Sequence, residues 1–134
     1  NLYEYVAEDK DIVLQADVPA EIMVHVDRTR VRQVWANLLD NGIKYGRRGG
    51  FVRISAKTSN GMVVVVFEDN GMGISPGEQQ RIWERLFRGD RSRTQQGLGL
   101  GLNYVRAVVE AHGGHVRVTS HLNEGARFEI QLPG

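Results

Sequence analysis

The sequence predicts an α+β fold: a two-layer α/β sandwich with a mostly antiparallel, mixed sheet of about five strands and about three helices on one face. Three observations lead there. Short β-rich segments come in hairpin pairs, apolar residues recur at helical spacing between the pairs, and glycine clusters separate the two patterns.

In chain order, Ile12 to Asp17 and Ile22 to Val26 form a first predicted hairpin, turned at Pro19-Ala20. Asp27 stands where a helix N-cap belongs. Behind it Val31, Val34, Trp35, Leu38 and Gly42 define one buried helix face that runs to about Tyr45, and Gly46 to Gly50 end it. Phe51 to Thr58 and Met62 to Glu68 read as two strands joined through Ser59-Asn60-Gly61, a tight turn centred on Asn-Gly. A short helix is expected around Glu78 to Leu86. Gly89 to Gln96, polar and arginine-rich, is expected to be a mobile connector. Leu100 to Ala111 is helical and stops at Gly113-Gly114. His115 to Ser120 and Ala126 to Leu132 make the last hairpin.

The 134 residues fit one domain, 1–134, without internal repeats. A net charge of +1 gives no electrostatic case for nucleic acid or an anionic membrane. Without cysteine, disulfides and thiolate metal sites are excluded. The longest apolar run, Met62 to Phe67, is far short of the roughly 20 residues a membrane helix needs. The chain opens on Asn1 and stops at Gly134 just after a strand, so both ends are expected to be cuts within a longer protein.

Three patterns carry chemistry. Asn37, Asn41, Lys44 and Tyr45 fall within an arc of roughly 100° beside the apolar helix face. Carboxamides one turn apart offer neutral oxygens to a hard cation such as Mg²⁺, Lys44 offers a point charge to phosphate, and Tyr45 offers a flat face to a base. The same residues also fit a solvated flank. In the second pattern, a hydrophobic strand ends in Asp69-Asn70-Gly71-Met72-Gly73. A carboxylate at that point accepts a hydrogen bond from an exocyclic amine, which adenine has and guanine replaces by a carbonyl. Gly71 and Gly73 let backbone approach a flat ligand; a plain Asx turn is the alternative. Third, Gly97-Leu98-Gly99-Leu100-Gly101 runs into a helix, whose N-terminal N–H groups suit phosphate. The spacing is neither a dinucleotide fingerprint nor a Walker A loop, and a flexible hinge fits it as well.

Taken in order, the patterns resemble a known family. Asn37-Leu38-Leu39-Asp40-Asn41-Gly42-Ile43-Lys44-Tyr45 resembles the N box of sensor histidine kinases, and Asp69 to Ile74 resembles their first glycine box. Ile82 to Arg88 is similar to the F box; Gly97 to Leu102, with Val109 to Gly114, is similar to the second glycine box and its helix. The likeness runs from about Ile12 to Leu132. It implies the ATP-binding sandwich shared with type II topoisomerases, mismatch-repair ATPases and one class of chaperone.

The resemblance also implies roles. Asn41 would coordinate Mg²⁺ bridging the ATP phosphates, with Asn37 supporting it directly or through water. Lys44 would contact phosphate, Tyr45 would lie against adenine or ribose, and Asp69 would take the adenine amino group. Gly71 and Gly73 would line the base site, and Gly97, Leu98, Gly99, Leu100 and Gly101 the phosphates. Arg88 to Gln96 would form a lid, with Arg88, Arg91 and Arg93 as candidate phosphate contacts. Two positions depart from the pattern: Gly42 replaces the usual alanine, and Leu98 a common polar residue.

In the ATPase branches a glutamate one helical turn before the metal-binding Asn activates water. Here that position is Asn37, whose carboxamide takes no proton near neutral pH, so slow intrinsic hydrolysis is expected. His25, His112, His115 and His121 lack the acidic neighbour of the family's phosphoacceptor. The acceptor would therefore sit on an upstream dimerisation domain of the same parent protein, homodimeric through that domain, with this domain alone monomeric. A response-regulator aspartate would receive the phosphoryl group. The domain would be cytoplasmic, its parent compatible with a membrane anchor. A nucleotide-sensing pseudokinase and an anti-sigma-type serine kinase of the same fold are the competing readings.

Overall fold

In the computed structural model the described residues are 11–18, 27–79, 81–84 and 101–133, with the side chains of Arg28 and Lys44 left aside. Elements follow in the order β1 (Val13–Asp17), α1 (Arg28–Lys44), β2 (Phe51–Ser59), β3 (Met62–Asp69), a 3₁₀ turn (Arg81–Trp83), α2 (Gly101–Ala111), β4 (His115–His121) and β5 (Gly125–Pro133).

Local chemistry explains the boundaries. Asp27 caps α1 with an extended backbone, and its Oδ1 accepts from the Arg30 N–H at 3.1 Å. Asn60 and Gly61 both take positive φ, 53° and 78°, the geometry that lets a two-residue turn follow the strand twist between β2 and β3. Within the short helix expected around Glu78 to Leu86, Arg81 N and Glu84 N bond to carbonyls three residues back, at 2.9 Å each, so the described part is a single 3₁₀ turn. Its Ile82 is buried, and the Trp83 ring meets Phe128 edge-on at 6.0 Å.

The strand order is β1-β2-β3-β5-β4. Three of the four pairings are antiparallel; β1 pairs with β2 in parallel, from Val13 opposite Phe51 to Asp17 opposite Ser55. On its described edge β1 therefore joins β2 in parallel, across a connection that contains α1. The second strand of the first predicted hairpin, Ile22 to Val26, lies outside the described residues.

Both helices cover one face of the sheet. Val31, Val34 and Leu38 of α1 meet Val105, Val108 and Val109 of α2 over Val63, Val65 and Phe67 of β3 and Phe128, Ile130 and Leu132 of β5. A smaller cluster of Ile12, Ile43 and Val52 fills the end under the C-terminus of α1. Val64 and Val66 point to the opposite face yet are also buried, so β3 reads as an uninterrupted apolar run because it is central. The two helices run in opposite directions and are pinned at two places. Asn37 Nδ2 donates to the Gly101 carbonyl at 3.1 Å, and the Asp27 N–H donates to His112 Nε2 at 3.0 Å.

Candidate nucleotide site

The candidate site lies along the second half of α1, which the loop after β3 meets at Tyr45 and the start of α2 meets at Asn37. Met72 N donates to the Tyr45 carbonyl at 3.1 Å, which ties the loop after β3 to the end of α1. The approach is so close that a Cβ on Gly71 would collide with the same carbonyl oxygen. At Gly73 φ is 71°, and a side chain would strike the His121 carbonyl. The two glycines are therefore required by packing, whether or not a ligand is bound.

Asp69 ends β3 with its Oδ1 accepting from the Gly71 N–H at 2.8 Å, which orients the carboxylate at the mouth of the loop. Asn70 turns away and accepts from Phe51 N at 2.8 Å, closing the start of β2. Tyr45 is 8% exposed, so its side chain is packed into the fold and is not a free arm.

On α1, Asn37 is engaged at both ends. Its Oδ1 accepts from Gln33 Nε2 at 2.6 Å while its Nδ2 holds Gly101. Asn41, one turn on, is different: its Nδ2 is buried without a hydrogen-bond partner. A buried amide left unmatched costs about 1–3 kcal/mol. The unmatched atom is an N–H donor, which suits an acceptor such as a phosphate oxygen, while the oxygen of the same carboxamide is the atom suited to a hard cation. Among the described residues no cluster of His, Cys, Asp and Glu could hold a metal in its place.

Along α1 the structure thus links Tyr45 to the loop of Asp69, Gly71 and Gly73 and links Asn37 to Gly101, with Asn41 between them on the helix. The Lys44 side chain, Arg88, Gly97, Leu98, Gly99 and Leu100 lie outside what is described, as do Arg91 and Arg93. Three supporting residues escaped the sequence reading: Gln33, Gln79 and Ser120. Among them only Gln33 left a signal, its spacing four residues before Asn37. A separate cavity of about 320 Å³ between sheet and α1 is lined by Val18, Trp35, Phe67 and other apolar side chains, which offer no chemistry to a reaction.

The sequence pattern of the histidine kinase-, DNA gyrase B- and HSP90-like ATPases matches residues 26–134. The chain belongs to that family. Among curated relatives this ATPase-family domain is 38% identical over 133 residues to the sensor-like histidine kinase SenX3 of Mycobacterium tuberculosis (strain ATCC 25618 / H37Rv), covering 98% of the chain and 32% of the relative. It therefore spans about a third of the length of the curated relatives it matches. Among solved structures, the mycobacterial sensor histidine kinase MprB is 32% identical with a TM-score of 0.85, over 98% of this chain and 90% of that one. Full-length ShkA in complex with AMPPNP is 30% identical with a TM-score of 0.86, over 98% of this chain and 27% of that one. Membership makes this an ATP-binding domain of the histidine kinase type, with the α+β fold of those catalytic domains. No described helix is long and apolar enough to cross a membrane.

Proposed function

We propose that this domain binds Mg-ATP and donates the γ-phosphoryl group to a histidine on a separate dimerisation domain of its parent protein, for relay to a response-regulator aspartate. The observation that carries the reading is the buried, unmatched Asn41 amide beside an Asn37 that braces the start of α2. Asn41 would hold Mg²⁺ through its Oδ1, leaving its Nδ2 donor for a phosphate oxygen, and Asn37 would support the ion directly or through water. The ion, when bound, would offset negative charge on the phosphates.

This chain's own residues supply position and charge. Asp69 accepts the adenine amine, Gly71 and Gly73 let the loop that carries it close on the Tyr45 and His121 carbonyls, and Tyr45 walls the base. By resemblance to the family, Lys44, Arg88 and the Gly97–Gly101 segment would serve the phosphates. Phosphoryl transfer depends mainly on such positioning and charge stabilisation. With Asn37 where an ATPase would need a general base, water is not activated, and ATP is kept for the histidine.

The test incubates the domain with γ-labelled ATP, Mg²⁺ and the parent's helical domain. The expected product is labelled helical domain whose label is lost in acid and kept in base. Label stable to acid and labile to base, or rapid phosphate release by the domain alone, would overturn the reading.

A further inference from the structure

Beside the nucleotide loop lies a buried polar network that the reaction does not use. Ser120, on β4, is 7% exposed, and Gln79 precedes the 3₁₀ turn. The Ile74 N–H donates to Ser120 Oγ at 2.7 Å, and the Ser120 hydroxyl donates to the Gly125 carbonyl at 2.8 Å. Gln79 Nε2 donates twice, to the Ile74 carbonyl at 3.1 Å and the Ser120 carbonyl at 3.0 Å. Both backbone groups of Ile74, a residue 1% exposed, are thus held by side chains, one from β4 and one five residues along the chain. The Gln79 amide has one workable orientation, since its flipped form would set an oxygen against two carbonyl oxygens.

The bonds reach Asp69 from two sides. Gly125, whose carbonyl Ser120 holds, packs so close to Asp69 and Asn70 that a Cβ there would collide with the Asp69 carbonyl. Ile74 follows Gly73 directly, and Gly71 in the same loop donates to Asp69 Oδ1. A network that fixes Ile74 and Gly125 therefore fixes the strand end behind Asp69 and the loop in front of it.

We propose that Ser120 and Gln79 are positioning residues that set the aim of the Asp69 carboxylate and so the preference for adenine over guanine. The inference rests on the ATP-site reading above. A hydrogen bond to an amine, as against a carbonyl at the same place, discriminates bases only while the acceptor is held in place. A loosened loop keeps its affinity for phosphates and loses discrimination.

Calorimetric titration of the domain with Mg-ATP and with Mg-GTP tests this in Ser120→Ala, Gln79→Leu and Gln79→Glu, below each variant's melting transition. The half-buried Gln79 variants keep the test open should Ser120→Ala fail to fold. The expected result is ATP binding weakened by about tenfold with GTP binding unchanged. Gln79→Glu should be the worse Gln79 variant, because it points an acceptor at two carbonyls. Variants that melt earlier yet keep the wild-type ATP-to-GTP ratio, or weaken both nucleotides equally, would overturn the inference alone. Wild-type protein with no preference for ATP would overturn both it and the adenine assignment beneath it.

Discussion

The Asn37 amide nitrogen donates to the Gly101 carbonyl oxygen at 3.1 Å, across 64 positions of sequence, so the carboxamide helix grips the first turn of the glycine-led helix. Asn37→Asp keeps the shape and puts an acceptor against that carbonyl. An unmatched, part-buried pair of acceptors costs roughly 1–3 kcal/mol. Urea unfolding should show that loss, and titration should show weaker Mg-ATP binding as α2 drifts from α1. Wild-type values in both would remove Asn37 from the joint.

Asp69→Ala removes the acceptor proposed for the adenine amine and the partner of the Gly71 N–H. Loss of a hydrogen bond to a charged group costs about 1.5–3 kcal/mol, so ATP affinity should fall by roughly 10- to 100-fold. Circular dichroism should still report a folded domain, because β3 keeps its ladder with β2 and β5. Undiminished affinity by calorimetry would sink the assignment.

His112 takes one defined tautomer. Nδ1 lies 2.8 Å from the Val108 carbonyl and acts as donor, which leaves Nε2 to accept from the Asp27 N–H at 3.0 Å. It joins the end of α2 to the start of α1, a structural duty consistent with its lack of the phosphoacceptor pattern. His112→Ala should cost about 1 kcal/mol, read as a melting point lower by a few degrees. A variant that melts with the wild type would show the bond to be idle.

What the sequence made legible was whatever one segment encodes by itself. Asp27 as cap, the Asn60-Gly61 turn, the apolar stripe of α1 and the last hairpin all depend on neighbours in the chain. Asn41, Asp69, Gly71 and Gly73 could be singled out as candidates because their residue types and spacing are restrictive even without a fold. The parallel pairing of β1 with β2 was not, since no local period states which strand a segment will meet. Gln79 and Ser120 were equally silent: each looks like an ordinary polar surface residue until Ile74 and Gly125 are brought beside it.

Gly42 shows the same limit in another form. A Cβ there would lie 3.2 Å from Val52 Cγ2, tighter than ordinary contact, so β2 occupies the space that alanine would use. Gly→Ala in a helix gains about 1 kcal/mol in propensity, and crowding against Val52 opposes it. Gly42→Ala alone should change stability little. In a Val52→Ala background it should stabilise by about 1 kcal/mol, a coupling that a double-mutant cycle reads directly. Additive effects would show that Val52 does not set the choice of glycine.

Glu129, on the sheet face away from the helices, supplies a pH dependence of known sign. The Gln131 Nε2 donor at 2.9 Å holds its carboxyl below the ordinary value of 4.5; partial burial opposes this, and Arg127 and Arg117 add to the lowering. Because the folded state releases this proton more readily than the unfolded chain, the ionised group stabilises the fold above the unfolded value. That contribution declines as pH falls through the depressed folded value. Glu129→Gln should therefore be less stable than wild type in urea at neutral pH, with the gap closing once the medium is acid enough to protonate the native carboxyl. A gap that persists unchanged into that range would mean that Glu129 contributes through packing against its strand neighbours and not through its charge.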